Sequence, residues 1–157
     1  MITSNSVVRL ARETLSNITC YYEITLSDAH LVGLTMGMED GEFINNTNPE
    51  RHGLIRWSYD EFATFLNERV KIDMKLCQDI NNIALVNVHE DGMNDLFDAL
   101  AYNMAFQIIM TWAFYYKFMS EMPRDIEDVQ EAYFSVWPNA KRNKRKAESL
   151  IREWTVR

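Results

Sequence analysis

The reading of the fold starts from HEDGMNDLFDALAYNMAFQIIMTWAFYYKFMSEM, residues 89–122. From Met93 the apolar positions are Met93, Leu96, Phe97, Leu100, Ala101, Met104, Ala105, Ile108, Ile109 and Trp112. Steps of three and four place them on one side of a helix. From Ala99 to Met119 the helix is apolar nearly all round. Asn103, Gln107, Thr111 and the Tyr115 hydroxyl form a single narrow polar stripe, spaced by four. Such a helix must be covered on most sides, by its own chain or by a second subunit. Asn103, Gln107, Lys117 and an acidic N-terminal flank oppose insertion into a bilayer, so no membrane contact is expected.

The N-terminal end of this helix gathers acid: Glu90, Asp91, Asp95 and Asp98 follow His89. Acidic side chains in a first turn complement the helix dipole and cap free N–H groups, which accounts for Glu90 and Asp91. Asp98 lies beyond that turn. Continuous helix through Asp91, Asp95 and Asp98 would put the three on one face, and a carboxylate cluster can hold a hard ion such as Mg²⁺ or Mn²⁺. The segment Asp95-Leu-Phe-Asp98-Ala-Leu-Ala101 resembles the last acidic motif of RuvC-type resolvases and related phage terminase nucleases. In those proteins two aspartates three apart open a C-terminal helix and bind metal. The resemblance covers about a dozen residues. It implies a nuclease, but the family's first aspartate, inside a glycine-punctuated opening strand, has no good counterpart at Leu26 or Asp28. The spacing from Glu61 is also too short for the family's middle carboxylate.

The chain of 157 residues, 47% hydrophobic and 25% charged, suits one globular domain over 1–157 with a real core. The opening MITSNSVVRLARETLSN lacks the apolar run and small-residue cleavage site of a signal peptide. Cys20 and Cys77 make no disulfide framework and sit among apolar residues, which points to buried thiols and a cytoplasmic setting. Charge is unevenly placed. Residues 139–157 carry seven basic and two acidic side chains, a net of +5; the total of −7 therefore leaves −12 on residues 1–138.

Read in order, Asn5 to Asn17 is a short helix. Tyr21 to Leu26 alternates and is rich in β-formers, and Leu31 to Met38 follows as a partner strand with possible bends at Gly33 and Gly37. Glu39-Asp-Gly41 signals a hairpin, Glu42 to Ile44 a third strand and Gly53 to Trp57 a fourth. Ser58-Tyr-Asp-Glu61 is a capping box opening a helix to about Asn81. Asn82 to Val88 reads as a fifth strand. After the central helix, Pro123 and Pro138 bracket a short acidic helix from Asp125 to Val136, and a basic helix runs to about Trp154. The expected class is α+β: a mainly antiparallel sheet from the N-terminal half, packed against a long central apolar helix, with a C-terminal helical segment.

No phosphate-binding loop, nucleophile elbow or zinc spacing occurs. The run Lys141, Arg142, Lys144, Arg145 and Lys146 is a candidate partner-binding patch. It could contact nucleic-acid phosphates, or form a helix docked on the acidic body of the same or another subunit. Tryptophans 57, 112, 137 and 154 are assigned mostly to the core, with one or two left for an interface. The function expected is a non-catalytic interaction or assembly protein, viral or accessory in type, acting as a homo-oligomer or through a protein partner. The alternative is a Mg²⁺- or Mn²⁺-dependent nuclease or phosphodiesterase using Glu90, Asp91, Asp95 and Asp98.

Overall fold

Thr25-Leu-Ser-Asp28 opens the helix around which the protein is built. In the computed structural model, which describes residues 4–21, 23–38 and 51–155, the Thr25 hydroxyl accepts from the Ser27 amide at 3.2 Å. Asp28 Oδ2 reaches back to accept from the Thr25 amide at 2.8 Å. This reciprocal cap satisfies N–H groups that a helix start leaves free. The helix it starts, α2 (Leu26–Met38), is buried at every position from Ser27 to Met38. Helix α1 (Ser4–Leu15) crosses one side of it, α6 (Met104–Phe118) lies on another, and α7 (Ile126–Val136) and α8 (Lys144–Thr155) close the rest.

Glycines decide how closely these helices approach. A Cβ on Gly33 would sit 2.3 Å from Val8 Cγ2 and 3.3 Å from the Trp154 ring. On Gly37 it would sit 2.5 Å from Leu150 Cδ1. Four apart, the two glycines share a helix face, so α8 seats Leu150 and Trp154 against bare backbone.

The expectation of an α+β fold with a mainly antiparallel sheet is overturned: the chain is mostly helical. Tyr21–Leu26 and Leu31–Met38 are not a strand pair; the second lies wholly within α2. A run that is apolar on every side fits a buried helix as well as a buried strand, and here the cap and the enclosing helices select the helix. Gly33 and Gly37 mark helix contacts, not strand bends. The expected fifth strand is the end of α4 (Met74–Ala84) and the loop after it, where Leu85 takes a left-handed conformation at φ 57°. The only sheet among the described residues is a hairpin of two two-residue strands, β1 (Arg51–His52) and β2 (Trp57–Ser58), pairing Arg51 with Ser58 and His52 with Trp57. The expected fourth strand is mostly its turn, where Gly53 at φ 82° and Arg56 at φ 62° reverse the chain. The hairpin and strand expected over 39–44 lie outside the described residues.

The long central helix is two helices. Helix α5 (Met93–Tyr102) ends at Asn103, whose extended backbone breaks the run. Asn103 Oδ1 accepts from the Phe106 amide at 3.0 Å and so caps α6, while its Nδ2 donates to the Ala84 carbonyl at 2.8 Å. The polar stripe turns inward. Thr111 donates to the Gln107 carbonyl at 2.7 Å. The Tyr115 hydroxyl lies 2.6 Å from Thr35 Oγ1 and accepts from the Trp137 indole at 2.9 Å. Phe106, Ile108, Ile109, Met110 and Trp112 have no exposed surface within a single chain. The middle of α6 is thus covered by its own chain, while Phe118 at its end stays half exposed. Among the described residues no helix is long and apolar enough to cross a membrane.

Candidate functional site

The four acidic residues are placed apart from one another's chemistry. Asp91 precedes α5, so the shared helical face with Asp95 and Asp98 does not form. Instead Asp91 Oδ2 accepts from the Asn87 amide at 2.8 Å, and Asn87 Oδ1 accepts from the His89 and Glu90 amides, both at 3.1 Å. These bonds close the turn before the helix. Asp95 lies in the first turn of α5, where it complements the dipole, and Asp98 projects outward; all four are exposed. Among the described residues no three His, Cys, Asp or Glu side chains gather closely enough to hold a metal ion.

The basic run begins in a 3₁₀ turn, Pro138–Asn143, and continues into α8. Lys141, Arg142, Lys144 and Arg145 are exposed and Lys146 is half-buried, while Ala147 on the other face is buried. Lys141 and Lys144 border a hollow shared with Glu127 and Glu131 of α7, and Lys144 lies 3.9 Å from Glu148. Part of the run thus faces acid of its own chain, which lessens the charge available to phosphate.

The carboxylates Asp28 and Asp79 and the two thiols are committed to structure. Asp28 Oδ1 accepts from the Trp112 indole at 2.8 Å. Burial raises the Asp28 carboxyl above the usual range, and its bonds to Thr25 and Trp112 oppose that. Asp79 accepts from the Thr19 amide and hydroxyl and the Cys20 amide, at 3.0, 2.7 and 2.8 Å, tying the α1–α2 connection to α4. Burial and the Asp79 carboxylate push the Cys20 thiol up to about 12. Cys77 is also raised by burial, and its Sγ donates to the Val70 carbonyl at 3.1 Å. Burial thus disfavours the thiolate at both positions.

What the fold does build is a groove of about 680 Å³ between the hairpin, α3 (Tyr59–Phe65), the turn after it and the end of α6. The capping box read from the sequence is present and sets one wall. Ser58 Oγ accepts from the Glu61 amide at 3.2 Å and Glu61 Oε1 accepts from the Ser58 amide at 2.9 Å. The Ser58 amide first, with Arg51 also helping, holds the Glu61 carboxyl below the usual range. Arg51 joins Glu61 at 3.1 Å and donates to the Arg56 carbonyl at 2.9 Å, locking the hairpin to the helix. Directly after α3 the chain widens into a π turn, Leu66–Val70, which carries Glu68 and Arg69 to the rim. Single π turns inside helices often mark functional places. Beyond it Asp73 caps α4 and meets Lys117 of α6 at 2.6 Å. Burial works to raise the Asp73 carboxyl, but Lys117 and the Leu76 amide outweigh it, and it lies below the usual range.

Trp57, Phe65, Phe114, Phe118 and Trp137 line the groove. Their rings form one array, with centroids 4.8 Å apart for Phe114–Phe118, 5.2 Å for Trp57–Phe65 and 5.6 Å for Phe114–Trp137. Phe118 is half exposed. The guanidinium of Arg69 stands 4.9 Å over its ring. Trp57 is 4% exposed, yet its buried indole N–H meets no acceptor. Such a group normally has a partner. Arg51, Arg56 and Arg69 share the rim with Asp60, Glu61 and Glu68. Sequence reasoning missed this site because its residues come from three distant segments. The one signal available was that one or two of the four tryptophans were left for an interface, and spacing along the chain does not say which.

No known protein family, curated protein or solved structure matches the chain. The nuclease-like motif at Asp95–Ala101 thus has no support from a wider match.

Proposed function

We propose that the protein is a non-catalytic interaction protein that holds a protein partner in its aromatic groove. The carrying observation is the contrast between two sets of residues. The carboxylates Asp28 and Asp79 and the two thiols serve caps, loop ties and the core, whereas the aromatic array, buried at Trp57 and Phe65, opens to solvent at Phe118. Aromatic side chains and arginine are the types that concentrate at the energetic centres of protein interfaces. Nothing in this reading calls for a bound metal.

The test sets this reading against metal-dependent phosphodiester cleavage. The full chain is incubated with plasmid and single-stranded DNA in millimolar Mg²⁺ or Mn²⁺, and its melting temperature is followed across the Mn²⁺ range. No cleavage and no metal-dependent shift are expected, in the wild type or in Asp95→Asn/Asp98→Asn. Cleavage or stabilisation by Mn²⁺ that disappears in the double variant would overturn the proposal.

A further inference from the structure

Resting on the binding reading above, we infer that the groove takes a segment of a partner protein presenting an aromatic side chain next to a carboxylate. Two features specify that chemistry. Phe118, half exposed at the end of α6, and the partly exposed Phe114 and Trp137 beside it offer an apolar wall, which an aromatic ring covers with the least loss of rotamer freedom. Arg69 stands over the Phe118 ring, and among the described residues its guanidinium forms no ion pair. A carboxylate beside the incoming ring would reach it.

Other occupants fit less well. Asp60 and Glu68 on the rim would repel a chain of phosphates, so a single anion suits the site and a nucleic acid does not. The groove is open and Phe118 stays half exposed, whereas small-molecule sites bury most of their ligand. A side chain held from outside meets both conditions.

The probe is a library of random twelve-residue peptides displayed on phage. It is selected on the full chain and counter-selected on Phe118→Ser, an exposed position whose replacement spares the core. The most enriched peptide is then synthesised, and its binding is followed by tryptophan fluorescence, to which Trp57 and Trp137 report. An aromatic residue adjacent to Asp or Glu is expected among the selected sequences. Changing that acid to Lys should weaken binding by about tenfold or more, the usual worth of a hydrogen bond to a charged group. Arg69→Glu should reverse the preference between the two peptides. Groove-dependent peptides that lack the acid, or that ignore Arg69→Glu, overturn this inference and leave a partner-binding groove standing. A selection with no Phe118-dependent peptide overturns both. Self-association in sedimentation that Phe118→Ser abolishes would make a second copy the occupant, and also overturns the inference.

Discussion

Replacing Asp28 with alanine tests the assignment of α2 as the organising helix. The carboxylate has no exposed surface and receives three bonds: the Trp112 indole at 2.8 Å, the Thr25 amide at 2.8 Å and the Thr25 hydroxyl at 3.3 Å. Alanine removes half of the reciprocal cap, worth about 1 kcal/mol. It also strands the Trp112 N–H, whose ring is fully buried, at about 1–3 kcal/mol. Relief from burying a carboxylate returns part of this, because burial already disfavours the charged form. The expected net loss is about 2–3 kcal/mol. Urea unfolding followed by circular dichroism at pH 7 measures it. Asp28→Asn keeps an oxygen for Trp112 but offers an amide group where Thr25 needs an acceptor, so it should cost less than alanine. The cycle with Trp112→Phe separates the terms. Removing both partners leaves no stranded donor, so the double variant should lose less than the two single losses added together. If Asp28→Ala lies within about 0.5 kcal/mol of wild type, or the cycle is additive, the buried pair does not hold α2 against α6.

Gly33→Ala should destabilise by about 1–3 kcal/mol, because its Cβ would lie 2.3 Å from the stiff Val8 side chain, and Val8→Ala should restore part of that loss in thermal melts. Ser58→Ala should cost about 1 kcal/mol through loss of the α3 cap; an unchanged melting temperature would deny Ser58 that role. His30 stacks on Trp154 at 5.0 Å with its Nδ1 unpartnered, and burial lowers its pKa from 6.5. Below about 6.5 the unfolded chain takes up a proton that the folded chain refuses, so this contribution is present above 6.5 and is lost as the pH falls towards the lowered value. Urea unfolding at pH 7.5 and 5.5 should show a drop in wild type that shrinks in His30→Phe; equal drops would show that His30 is not its source.

Local chemistry in the sequence determined a good part of this protein. Ser58 and Glu61 three residues apart, Pro138 just after α7, and the three-and-four spacing of Val7, Val8, Ala11 and Leu15 each state a helix start, a stop or an inner face in terms of neighbours along the chain, whereas α6 already ends at Phe118, ahead of Pro123. Accordingly α1, the start of α3, and α7 lie within two residues of where the sequence puts them. The same kind of signal was present at Thr25-x-x-Asp28 ahead of an apolar run, but the alternating residues just before it suggested a strand. Tertiary structure decided the rest. Leu31–Met38 is apolar on nearly all sides, so its period carries little information, and the cap at Thr25 and Asp28 together with the approach of α1, α7, α8 and α6 makes it a helix. Asn103 looked like one step of a polar stripe; its bond to Ala84, from another element, is what turns it into a break and a cap. The groove has no sequence signature, because Trp57, Arg69, Phe118 and Trp137 become neighbours only when the hairpin, the π turn and the end of α6 are brought together. Spacing along a chain encodes which face of an element is apolar, while the partner that face meets is set by the packing of the whole.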